Sequence, residues 1–241
     1  MGVGRFGRFA AVALTACLVS LGTSSAASAS TATTVNWSMN EPAGSTTMTD
    51  SGTAGVTGTI GPDVVTGAAI DGVTAYQWPF IPNINTAYRP ERLVTVKDAA
   101  AIDPNGTSFR VEMRFRTKQS DKNIFNKGQS GNTGGYYKIE TGGGFVKCLF
   151  RGPTSSLSIV STTRVDDDRW HIVVCEHTPN GLTMTLDGTW TRTRLGTTGP
   201  INNSRPMSIG GKSKCDAVTA EGADCDYYSG WIDYITITKA T

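Results

Sequence analysis

The chain has 241 residues, room for one large all-β domain or two small ones. Its 22 basic and 20 acidic residues leave no basic excess of the kind that phosphate backbones attract, so nucleic acid is not an expected partner. A composition high in Gly, Thr and Ser and low in Glu, Lys and Leu, without helical periodicity, calls for many short strands and tight turns.

Residues 1–29 read as a secretory signal peptide. Arg5 and Arg8 form a positive n-region, residues 9–22 are apolar, and Ala27-Ser28-Ala29 is a small-x-small cleavage site. Leu14-Thr15-Ala16-Cys17 imitates a lipoprotein box, but the apolar run continues past Cys17. That run is too short to span a bilayer and no second one follows, so the expected product is secreted, with no transmembrane anchor. Losing Arg5 and Arg8 leaves 20 basic against 20 acidic residues and a formal net charge of zero.

Residues 30–241 are expected to form a single domain, with no linker and no internal repeat. It opens with a strand in which Val35, Trp37 and Met39 alternate with Asn36 and Ser38. Residues 40–72 are turn-rich, with room for a short strand near Val64 and Val65. Residues 75–78 form a strand that runs into Pro79-Phe80-Ile81-Pro82, a loop that cannot be helical. Another strand covers 93–96. Asp103-Pro104-Asn105-Gly106 then makes a turn and launches the clearest strand of the chain. There Phe109, Val111, Met113 and Phe115 point one way and Arg110, Glu112, Arg114 and Arg116 the other, so one face packs and one is solvated.

Strands follow over 123–127, 136–141, 145–151 and 157–161. Residues 168–194 read as a three-stranded meander. β-Branched and aromatic residues fill 170–177, Pro179-Asn180-Gly181 turns the chain, and Leu182, Met184 and Leu186 share one face before the tight-turn pair Asp187-Gly188. Residues 207–209 and 231–238 complete the set. So many short strands with no helix between them are expected to close into one all-β, two-sheet antiparallel sandwich.

Four cysteines lie beyond the leader: Cys148, Cys175, Cys215 and Cys225. An even number in an exported chain reads as two disulfides, with three connectivities open. Cys148 and Cys175 sit inside strands, where bridging neighbouring strands or sheets is easy, and Cys215 and Cys225 flank a polar loop that needs closing. The expected pairs are therefore Cys148–Cys175 and Cys215–Cys225. No C-x-x-C pair suggests zinc.

Several short motifs stand in a telling order. After the strand over 109–117 come Ile124-Phe125-Asn126-Lys127-Gly128 and Asp168-Arg169-Trp170-His171-Ile172-Val173. Leu186-Asp187-Gly188, Met207-Ser208-Ile209-Gly210-Gly211 and Tyr228-Ser229-Gly230-Trp231-Ile232-Asp233 follow. From about residue 109 to 237 the chain resembles the laminin G-like domains of the concanavalin A-like superfamily, in the form common in secreted bacterial proteins. The resemblance implies a jelly roll of two curved sheets that binds a glycan or an extracellular protein, often with calcium. It does not by itself imply catalysis.

Glycoside hydrolysis needs two carboxylates flanking the scissile bond, and the E-x-D-x-x-E run of the superfamily's glucanases is absent. Glu112 alternates with Arg110 and Arg114, which should hold it ionised. His171 and His177 are six residues apart on one strand, roughly 20 Å, too far to share an ion, and read as packed residues. Gly211-Lys212-Ser213 imitates a phosphate loop without its earlier glycine. Calcium has candidate ligands in Asp50, in Asp216, Asp224 and Asp226, and in the run Asp166-Asp167-Asp168. Trp78, Tyr88 and Arg89, expected in an irregular segment, and Tyr136 and Lys138, expected on an exposed strand face, are the candidate ligand-binding residues. The sequence reading is a secreted, non-catalytic module recognising a glycan. The alternatives are a degenerate or unrecognised carbohydrate-active enzyme and a protein-binding extracellular or cell-surface module.

Overall fold

A computed structural model describes residues 1–4, 32–82, 87–216 and 225–241. Residues 5–31, 83–86 and 217–224, Asp224 among them, lie outside the described residues. In chain order the strands are β1 (Thr33–Trp37), β2 (Thr47–Met48), β3 (Gly58–Ile60), β4 (Val65–Ile70), β5 (Val73–Trp78) and β6 (Val94–Val96). Then come β7 (Phe109–Thr117), β8 (Lys122–Lys127), β9 (Tyr136–Gly142), β10 (Phe145–Arg151) and β11 (Ser156–Arg164). The last five are β12 (His171–Thr178), β13 (Gly181–Leu186), β14 (Trp190–Leu195), β15 (Met207–Ile209) and β16 (Gly230–Lys239). Helical structure among the described residues is confined to two 3-10 turns, Pro90–Arg92 and Ala100–Ile102.

The strands form two antiparallel sheets. Sheet one runs β14-β13-β12-β7-β16-β5-β4, with β1 also on β16; sheet two runs β11-β10-β9-β8-β15-β6-β3-β2. The last strand is the organiser of sheet one. One edge of β16 pairs with β7 along its length, while the other pairs with β5 at Gly230–Ile232 and with β1 from Trp37↔Ile235 to Thr33↔Lys239. Two ends of the sequence thus meet at the middle of one sheet, an arrangement no local pattern announces.

The period-two reading of β7 holds: Phe109, Val111, Met113 and Phe115 are buried and the charged residues between them are half-exposed. The main core spans both sheets, including Trp37, Val111, Phe115, Phe125, Met207 and Ile235, and a smaller cluster holds Leu93, Cys225 and Tyr227. Within it Tyr137 stacks on Phe150 at 5.3 Å, and Phe150 stacks in turn on His177 at 4.9 Å. Both expected disulfides form. Cys148 on β10 and Cys175 on β12 join the two sheets with Cα atoms 6.0 Å apart, well inside the ordinary sheet spacing of about 10 Å, so the sandwich narrows there.

Residues 40–72 hold more than the short strand expected near Val64. β2, β3 and β4 lie there, and β4 returns as β5 through Asp71-Gly72 at φ 50° and 76°. Those two left-handed residues are the same tight-turn chemistry as Asp187-Gly188, at 52° and 66°.

Candidate binding cleft

On the outer face of sheet two, β8 and β9 floor a polar cleft. Its narrow part, of about 100 Å³, is lined by residues that include Asn123, Asn126, Tyr136, Lys138, Lys212 and Asp216. Gln129 and Ser130 form the wall it shares with a wider part of about 420 Å³, which reaches Asn132, Arg205 and Lys214.

Strand register brings the floor together. Asn126 pairs with Lys138 across β8 and β9 and with Ser208 across β8 and β15. The Ser208 hydroxyl lies 2.6 Å from Asn126 Oδ1 and 2.7 Å from the Gly211 carbonyl, locking that amide. Lys138 is held by Glu140 at 2.5 Å, and Lys147 reaches the same carboxylate at 3.0 Å. The wall is the turn between β8 and β9, with Gly128, Gly131, Gly134 and Gly135 all at positive φ. A Cβ at Gly134 would run into the Asn202 carbonyl, so only glycine lets this turn press against the neighbouring loop.

The far wall includes Lys212 and Asp216. Lys212, nearly buried, places Nζ 2.7 Å from Asp216 and 2.7 Å from Asp226. Asp226 also accepts from Asn123 Nδ2 at 2.7 Å. Two buried acceptors on residues lining the cleft have no partner among the described residues: Asn123 Oδ1, on a residue only 1% exposed, and Gln129 Oε1. Leaving a buried acceptor unmade costs about 1–3 kcal/mol, and native proteins rarely leave one without a role.

Beneath the floor lies a fully buried cation. Lys127 on β8 is 0% exposed, with Nζ 2.7 Å from both Asp98 and Asp103 and 2.5 Å from the Asn203 carbonyl. Burial holds the Asp103 carboxyl above the usual carboxylate range despite the bond from Lys127.

The sequence candidates separate on this map. Tyr136 and Lys138 come together in the cleft, as a strand-face reading expected, and Asp216 joins them. Tyr88, 48% exposed, and Arg89 stand on the loop outside the cleft, where the Arg89 backbone N–H donates to the Tyr227 hydroxyl. Trp78 is not displayed. It is 1% exposed at the inward end of β5, its indole N–H donates to the Arg92 carbonyl at 2.9 Å, and its ring meets Tyr228 edge-on at 5.9 Å. Alternation, which also turns Tyr76 inward, overrides the neighbouring loop.

The calcium candidates among the described residues do not fit the ion. Asp50 Oδ1 accepts the Asn36 and Gly52 N–H groups at 2.7 Å each and Oδ2 accepts that of Val56 at 2.8 Å, so its carboxylate organises a turn. Asp216 and Asp226 already share the ammonium of Lys212. Asp166 pairs with Arg164, Asp167 with His171, and Asp168 with Arg116 and Lys118. No three His, Cys, Asp or Glu of the described residues group as metal ligands. Asp224 lies outside them.

Both histidines are packed. His171 lies between Asp187 at 2.8 Å and Asp167 at 3.0 Å. His177 bonds Thr198 at 2.9 Å, and burial pushes its pKa down to about 4, so it is neutral in the core.

An antiparallel two-sheet jelly roll with a loop-walled cleft on one sheet defines a concanavalin A-like domain. The laminin G domain profile matches residues 115–239, and the chain belongs to that family. No curated protein matches the sequence. Among solved structures, the binding domain of botulinum neurotoxin DC in complex with rat synaptotagmin II aligns with a TM-score of 0.58 at 12% identity, covering 84% of this chain and 47% of that one. The binding domain of botulinum neurotoxin serotype G gives 0.56 at 12% identity, with 86% and 47% covered. A structure of botulinum neurotoxin type C, described as depending on two ganglioside molecules for cell entry, gives 0.55 at 12%, with 86% and 46% covered. The chain spans about half the length of each, and the likeness is one of fold.

Proposed function

We propose that this protein is a non-catalytic binding module that takes a glycan in the cleft along β8 and β9. The observation that carries the reading is the pair of unpartnered acceptors, Asn123 Oδ1 and Gln129 Oε1, on one polar cleft. A sugar supplies what they lack, hydroxyl and amide donors, and Tyr136 offers a ring on which its C–H face can stack. The non-catalytic part rests on the acids: Asp216 and Asp226 share one lysine rather than flanking an open bond. Of the toxins that share this fold over about half their length, one is described with synaptotagmin II and another as needing two ganglioside molecules for cell entry, which supports a binding role and keeps glycan and protein as the two partner classes. An extracellular setting is part of the reading, supported by the leader pattern over residues 1–29 and by two disulfides. No helix of the described residues is long and apolar enough to cross a membrane.

The test is retention on a panel of immobilised neutral and acidic polysaccharides, in calcium and then in EDTA. At least one polysaccharide should retain the protein, equally in both buffers, and Gln129→Ala should weaken that binding about tenfold, the loss of one satisfied acceptor. Retention by none, or full retention by both Gln129→Ala and Tyr136→Ala, overturns the reading. Release of reducing ends would make the protein an enzyme instead.

A further inference from the structure

A second depression lies on sheet one, where β5, β7 and β16 meet the Pro79-Phe80 loop. It measures about 280 Å³ and is lined by residues that include Gln77, Phe80, Arg116, Gln119 and Trp231. The register sets three of them in a row across neighbouring strands, since Trp231 pairs with Gln77 on one side and Arg116 on the other. Directly opposed residues share a face of the sheet, so this row is one continuous surface. Phe80 is 70% exposed beside it, on a loop tied down by the bond from Arg92 Nη2 to the Pro79 carbonyl at 2.9 Å.

The charges here are already matched. Arg116 is held by Asp168 at 3.0 Å and Asp71 at 2.5 Å, and Lys118 reaches Asp168 at 3.0 Å. Two cations against two carboxylates give an anion nothing to pair with. What is unspent is apolar and amide: the rings of Phe80 and Trp231, and Gln119 Oε1, which is shielded from solvent and has no hydrogen-bond partner among the described residues. An aromatic surface beside an acceptor without a donor suits a ring that is apolar on one face and carries hydroxyl donors at its edge. The volume lies below the roughly 300–1,000 Å³ of pockets for larger ligands, so it suits one ring rather than a chain.

We infer that this depression is a second binding site, for a single neutral sugar ring, separate from the cleft on sheet two. It stands on its own residues and does not need the cleft reading to hold.

The test follows the indole N–H resonance of Trp231, assigned with Trp231→Phe, during titration with the methyl glycosides of glucose, galactose and N-acetylglucosamine. Methyl glucuronide serves as the charged comparison and glycerol as the control for hydroxyls without a ring. At least one neutral glycoside should move that resonance with a dissociation constant of about millimolar, and methyl glucuronide should bind more weakly than methyl glucoside. Phe80→Ala, which removes an exposed side chain and leaves the core alone, should weaken binding about fivefold or more. Gln129→Ala should leave it unchanged, so a failure of the cleft is distinguishable from a failure here. An unmoved Trp231 resonance with all three neutral glycosides at about 100 mM overturns the inference, as does equal binding by Phe80→Ala or by glycerol.

Discussion

On the outer face of sheet one, Arg110 meets Glu112 at 2.5 Å, and Tyr234 donates to the same carboxylate at 2.7 Å. Arg114 meets Asp233 at 2.9 Å and lies over the Trp170 ring at 4.6 Å. On the outer face of sheet two, Asn123 and Gln129 keep acceptor oxygens with no donor, beside a lysine already shared by two acids. Both faces are polar and both carry charges. The charges named on the first are paired with one another, while the second keeps acceptors that no donor meets, and unfinished hydrogen bonding leaves something for a ligand to supply. Polarity alone does not mark a site.

The comparison can be broken at several depths. The deepest break is Lys127→Ala. It strands Asp103 without its cation beneath the sheet-two floor, and should cost about 3–5 kcal/mol in urea melts. A loss under about 1 kcal/mol would mean the triad is solvated and the floor less rigid than its geometry implies.

Beneath sheet one, Phe115→Ala should cost a similar amount, roughly 3–5 kcal/mol, because Phe115 is fully buried. Arg114→Ala, one strand position away on the outer face, should cost about 1 kcal/mol or less, since its ion pair is partly solvated. Equal losses from the two would reverse the assignment of inner and outer faces.

His177 sharpens the comparison from inside. Its pKa is about 4 in the fold against 6.5 when unperturbed, so the folded state resists a proton that the unfolded chain accepts. Stability is therefore full above pH 6.5 and falls as the pH drops toward 4, by up to about 3 kcal/mol from this residue. His177→Phe, which keeps the stack on Phe150, should flatten the pH dependence of urea melts in that window. An unchanged slope would assign the acid sensitivity to another group.

The smallest expected effect on stability is the most telling for the site. Gln129→Ala removes an acceptor that bonds nothing among the described residues, and should shift the melt by no more than about 0.5 kcal/mol while weakening glycan binding. A large loss of stability with binding intact would make Gln129 a structural residue and remove the distinction between the cleft and the paired charges around Arg110 and Arg114.

Much of the fold was legible in single residues and their neighbours. The alternation of Phe109 to Phe115 with Arg110 to Arg116, the turn pair Asp187-Gly188 and the cysteine spacings all state local geometry, which the chain carries in its order. Asp71-Gly72 carried the same turn signal and marked the β4–β5 hairpin inside a stretch read as turn-rich with one short strand near Val64 and Val65. The cleft was only half legible. Tyr136 and Lys138 followed from strand alternation, and the four glycines of the 128–135 turn were a signal that this segment had a special shape, but nothing local joined them to Lys212.

By itself, then, the sequence determined the all-β sandwich, the inward and outward sides of its main strands and the two disulfides, because period, turn chemistry and cysteine spacing act over a few residues. The tertiary structure alone decided which polar groups were left unpartnered. It turned Trp78 into the core, and it spent Asp50 on a turn and Asp216 and Asp226 on a lysine. It also set Trp231 between Gln77 and Arg116, and Asn126 between Lys138 and Ser208. Those pairings join strands far apart in the chain. Whether a given oxygen or ring finds a partner depends on that register, which is set by the packing of the whole sandwich.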